Sequence, residues 1–216
     1  MATYNADEQE RIDGLKSWWD AYGTTVLVAL TVFAASIGGT QAWNYYTHQQ
    51  KTQAADLYVL VQQVQESEDP KRINDAASLL MDGYSSSGYA VRAAMIAAKA
   101  NFDAGDITAS KEKLQWVINN AEEPELKDLS RLRLAGLLLD EEKYDEALKM
   151  MASKHGDAFS GLYSDRKGDI LTAAGRIGEA REAYQIAIAK LEPSNNYFNI
   201  VQMKLDALGN AVVSAE

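Results

Sequence analysis

Between Asp20 and Lys51 the chain carries no charged residue, and this gap limits what it can fold into. Inside it lies the run from Gly23 to Ala42, Gly-Thr-Thr-Val-Leu-Val-Ala-Leu-Thr-Val-Phe-Ala-Ala-Ser-Ile-Gly-Gly-Thr-Gln-Ala. About 20 residues of helix rise about 30 Å, the hydrocarbon thickness of a bilayer. Trp18, Trp19 and Tyr22 precede the run, and Trp43, Tyr45 and Tyr46 follow it. Such ring belts are expected where a spanning helix meets both interfaces. A core helix of a soluble protein needs neither so long a run nor aromatics at both ends. A cleaved signal peptide is the other rival, because Thr40 and Ala42 have cleavage-like spacing. Its start would be positive, whereas Asp7, Glu8, Glu10, Asp13 and Asp20 outnumber Arg11 and Lys16. The expectation is an uncleaved anchor over residues 21–46 behind a short tail, 1–20. The flanking cations nearly balance and do not orient the span. A large domain after it translocates regardless of such charges, so the tail is expected in the cytoplasm and the domain outside.

Beyond residue 50 the apolar spacing is helical throughout. Leu57, Leu60, Val61 and Val64 recur on one face, and nothing breaks the chain between Trp43 and Asp69, so the spanning helix is expected to run on into the domain. Asp69-Pro70 reads as an N-cap followed by a first-turn proline, Ser85 to Gly88 as a turn, and Pro124 as a second helix opening. Pro193 follows the last apolar position of another helix. No stretch alternates well enough to be a strand, and with Pro at 3 residues and Gly at 14 a turn-rich β protein is disfavoured. The fold class is all-α.

Three blocks repeat: Asp103 to Ser110, Asp140 to Ala147 and Ala173 to Ala180. Their offsets bracket the tetratricopeptide period of about 34 residues. In the last block Gly168, Leu171, Gly175, Ala180, Tyr184 and Ala187 fall at that motif's alternating small and large positions. Ala135, Leu138, Ala147 and Met151 follow it in the middle block, and Ala98, Ser110 and Leu114 follow it more weakly in the first. Small residues let two antiparallel helices approach, large ones fill the gap, and the pairs must stack to bury their apolar faces. The reading is a transmembrane helix followed by a tetratricopeptide-repeat-like α-solenoid over 47–210, with a tail, 211–216. A generic helical bundle with Ala-rich interfaces is the plainer alternative.

The register also places a groove. The second, fifth, ninth and twelfth residues of each first helix face the concave side. They are Arg92, Met95, Lys99 and Phe102; then Leu129, Leu132, Gly136 and Leu139; then Leu162, Asp165, Asp169 and Thr172. Arg92, Met95, Lys99, Phe102, Leu132, Leu139, Asp165 and Asp169 are the candidate protein-binding residues, because apolar side chains mixed with isolated charges suit an incoming segment. The leucines would instead be core if the register slips by one residue.

Chemistry is hard to find. There is no cysteine, so disulfides, thiolate metal sites and thiol nucleophiles are out. The two histidines, His48 and His155, have no partner at metal-ligand spacing. His155 with Asp157 and Ser160 lacks the Gly-x-Ser-x-Gly elbow that would make a triad credible. Glu122-Glu123 and Glu141-Glu142 read as helix-end charges. Gly38-Gly39 lacks the lysine of a phosphate loop, and with Ala34 it suits close helix packing in a bilayer. A net charge of -10 disfavours nucleic acid. No catalytic residue, cofactor, metal, nucleic acid or small-molecule substrate is expected. The chain reads as a scaffold or co-chaperone that binds proteins; a subunit holding together another envelope-assembly complex, such as one for cell-wall synthesis, is the alternative.

The acidic tail, single span, continuing helix and divergent repeats ending in Met203-Lys-Leu-Asp-Ala-Leu-Gly209 resemble the YfgM family, ancillary subunits of the bacterial Sec translocon. Arg131-Leu-Arg-Leu-Ala135 with Leu138, and Asp165-Arg-Lys-Gly-Asp169 with Gly175, are the most telling stretches; 67–90 and 211–216 match least. The resemblance implies an inner-membrane protein whose repeats face the periplasm. It also implies partnership with the SecYEG channel and a PpiD-like membrane-anchored chaperone in the folding of exported proteins.

Overall fold

The computed structural model describes residues 4–194 and 196–209, and their regular structure is helical. The chain runs α1 (Tyr4–Gln65), α2 (Pro70–Gly83), α3 (Gly88–Asp103), α4 (Ile107–Asn120), α5 (Pro124–Asp140), α6 (Tyr144–Met151), α7 (Ser160–Ala173), α8 (Ile177–Lys190) and α9 (Asn196–Ala207), with a 3-10 turn, Asp157–Phe159, before α7. The expected tail 211–216 lies outside the described residues.

α1 takes in the charge-free run and also most of the segment read as a tail, which is helical from Tyr4. No proline interrupts it, and its glycines, at about 1 kcal/mol each, do not end so long a helix. Within the run, the Thr31 and Ser36 hydroxyls donate to the Leu27 and Val32 carbonyls at 2.8 Å, which hides polar groups inside the helix. This stretch is long and apolar enough to cross a membrane, and its side chains are almost all exposed.

The chain divides into two compact units between residues 52 and 53. In the second, the last turns of α1 pack on α2 and α3 through Ala54, Val61, Ile73, Leu80 and Ala97. Local signals set the helix starts. Asp69 accepts from the Lys71 and Arg72 amides at 3.0 and 3.5 Å with Pro70 in the first turn, and Ser87 caps α3 by accepting from Tyr89. Such caps contribute about 1 kcal/mol each.

The pairs α3–α4, α5–α6 and α7–α8 turn at Gly105, Glu142 and Gly175, whose φ values are 81°, 59° and 73°. In each turn the next residue's amide reaches back five residues: Asp106 to Asn101, Lys143 to Leu138 and Arg176 to Leu171, all at 2.8 Å. This is the same left-handed helix end three times over. The repeat register read from the sequence is the one observed. Ala98, Ala135 and Gly168 are buried, as are Ser110, Ala147 and Ala180, and Leu114, Met151 and Tyr184. A Cβ on Gly168 would lie 2.4 Å from the Tyr184 ring, so the small residue makes room for the large one.

Candidate partner-binding groove

The first helices of successive pairs, α3, α5 and α7, together with the end of α1, border two adjoining cavities. One of 400 Å³ is lined by Lys99, Phe102, Arg133, Gly136 and Arg166 among others. The other, of 680 Å³, is lined by Tyr58, Arg92, Met95, Ile96, Lys99 and Arg133 among others. Lys99, Asp103 and Arg133 belong to both, so the two form one trough.

Of the candidate residues, the structure brings Arg92, Met95, Lys99 and Phe102 into this trough. Arg92 is anchored: its guanidinium donates to both Glu123 carboxylate oxygens at 3.0 Å and to the Gly88 carbonyl at 2.9 Å. Glu123, read as a dipole complement at the start of α5, makes no side-chain cap there and serves this ion pair. Lys99 pairs with Asp103 at 2.5 Å one turn on. Phe102 is 47 % exposed.

The other four candidates line neither cavity, and the buried Leu132 and Asp165 correct the expectation of a groove face. Leu132 is buried at 8 % within the core formed by Ala98, Leu114 and Tyr163, because neighbouring repeats close over it. Leu139 is half-buried against the same core. Asp165 is 1 % exposed and lies under α9, where it accepts from Tyr197 at 2.5 Å and from the Lys204 ammonium at 2.9 and 3.0 Å. Asp169 accepts from Tyr184 at 2.8 Å and pairs with Lys204 at 2.7 Å. The register is right at these positions, but packing partners distant in sequence occupy the face they were assigned. In this environment burial, followed by the neighbouring carboxylates, pushes the Tyr184 and Tyr197 phenols up.

Arg133 and Arg166 were missed. Their positions in the repeat carry no motif signal, and α5 reads as leucine-rich around Arg133. His155 stacks on Tyr163 with centroids 4.2 Å apart and its Nδ1 faces the Gly156 carbonyl at 3.1 Å. Buried Asp128 accepts from Arg131 at 2.8 Å, from the Gly156 amide at 2.9 Å and from Tyr163 at 3.3 Å. That cluster ties the segment before α7 to α5, and burial raises the Tyr163 phenol to about 12.

Stacked helix pairs with a shared left-handed turn and a trough along their first helices define a tetratricopeptide-repeat-like protein. The sequence accordingly matches the family described as tetratricopeptide repeat-like domain over residues 16–210. It is 31% identical over 204 residues to the Ancillary SecYEG translocon subunit of Neisseria gonorrhoeae, a match covering 94% of this chain and 97% of that one. The protein of the same name from Haemophilus influenzae is 29% identical, with 85% and 90% covered, and that of Escherichia coli K12 is 20% identical, with 94% and 97% covered. The chain belongs to this family of tetratricopeptide-repeat-like ancillary translocon subunits.

Proposed function

We propose that the chain is a non-catalytic ancillary subunit of the SecYEG translocon, anchored in the bacterial inner membrane by α1 with its repeat domain in the periplasm. What carries the reading is the end-to-end match to relatives of that name, spanning 97% of the Neisseria protein, so that anchor and repeats are related together. Residues 1–20 lie on the cytoplasmic side, 21–46 cross the bilayer, and 47–210 form the periplasmic domain. The repeats hold a partner in the trough: a membrane-anchored periplasmic chaperone of the PpiD kind, kept beside the channel so that emerging proteins pass to it. The open Phe102 and the cations around it suit protein contact rather than a structural seam.

The test is purification of the intact chain from membranes in mild detergent, with mass spectrometry of what accompanies it. The reading expects SecYEG subunits together with a periplasmic chaperone. Recovery of cell-wall enzymes without SecYEG would overturn it in favour of an envelope-assembly scaffold.

A further inference from the structure

The smaller cavity of the trough differs in charge from the chain that forms it. Acids outnumber bases by 31 to 21 overall, yet the two cavities are lined by Arg92, Lys99, Arg133 and Arg166 against Glu68, Asp103 and Asp140. Once the internal pairs are set aside, the trough as a whole balances at Arg133 and Arg166 against Glu68 and Asp140, and the excess of cations lies in the smaller cavity, where Arg133 and Arg166 face Asp140. Arg92 is held by Glu123, which lines neither cavity, and Asp103 is taken up by Lys99. Arg133 is exposed and makes no ion pair among the described residues. The acid paired with Arg166 is Asp169, at 3.8 Å, and its carboxylate already receives Lys204 and Tyr184. The Arg166 guanidinium carbon lies 3.7 Å from where a Cβ on Gly136 of α5 would stand, an ordinary contact distance. Arg166 lies over α5 and shares the smaller cavity with Arg133 and the half-exposed Phe102.

Resting on the reading of the trough as a partner surface, we propose that its occupant is an acidic, amphipathic segment of a partner protein. Carboxylates of the segment meet Arg133 and Arg166, and an apolar side chain covers Phe102. Arginine forks suit carboxylates in both charge and shape, and an aromatic beside them gives an apolar anchor its place.

Two fluorescein-labelled 15-residue peptides test this on the full-length chain in nanodiscs: one of Glu, Leu and Ala, the other with every Glu replaced by Lys. The Glu peptide is expected to bind, to weaken on raising the salt, and to bind Arg133→Glu about tenfold or more weakly. Phe102→Ser weakens it at all salt concentrations, and the Lys peptide gains affinity for Arg133→Glu. Both residues are exposed, so thermal melting should change little; Arg133→Gln serves if the charge reversal alters folding. Equal binding of the two peptides, binding of neither, or wild-type affinity in both Arg133 variants would overturn the proposal. SecYEG recovery by the wild-type chain reports separately on the functional reading.

Discussion

Glu142 occupies, at φ 59°, the turn position that glycine fills at 105 and 175. A side chain in that left-handed conformation carries a steric cost that glycine lacks. Glu142→Gly is expected to raise stability by about 1 kcal/mol, read as a higher urea midpoint at unchanged m-value. A lower midpoint would mean that Glu142 has another role. Ala180 tests the opposite kind of fit. It is fully buried in the cluster with Leu171, Tyr184 and Val201, and Ala180→Leu should overpack the site by about 1–3 kcal/mol. A melting temperature unaffected by that substitution would contradict the observed packing. Buried tyrosines set a pH limit. The unfolded chain ionises its phenols near pH 10, whereas folded Tyr163 holds its proton to about 12 and Tyr184 and Tyr197 are also raised. Between those values the folded state binds more protons, so stability falls as pH rises. Melting temperatures should drop steeply above pH 10 and less so in Tyr163→Phe; a flat profile to pH 12 would contradict this.

At the scale of elements, α9 is held on the last repeat by charge as much as by apolar contact. Val201, Leu205 and Leu208 pack on the cluster of α7 and α8, while Lys204 reaches Asp165 and Asp169, and Arg181 donates to the Leu208 and Gly209 carbonyls. Lys204→Ala would leave the buried Asp165 carboxylate with Tyr197 but without its cation, at a cost of about 3 kcal/mol. Hydrogen exchange should show α9 losing protection first, and wild-type protection in the variant would contradict the arrangement. These contacts also explain what sequence could not convey. Helix starts at Pro70 and Pro124 and the small-large register around Gly168 and Tyr184 are local patterns and were legible. The first repeat looks degenerate because its core position holds Asn101, which is satisfied by Asn74, 27 residues away. Asp165 read as a groove residue because its cation, Lys204, is 39 residues on.

For the whole molecule, the long apolar helix was readable from the charge gap, whereas the trough needed the fold. Lys99, Arg133 and Arg166 stand on three different helices, and only stacking of the repeats brings them to one cavity. Under the proposed function, a membrane-held repeat domain presents this trough to its partners beside the translocon. The most direct measurement places a photo-crosslinking residue at position 102 in the trough, or at exposed position 185 on α8, of the intact protein in native membranes. Position 102 should capture a periplasmic chaperone or a translocon subunit, and position 185 should not. Capture of those proteins from 185 with none from 102 would contradict a partner surface in the trough.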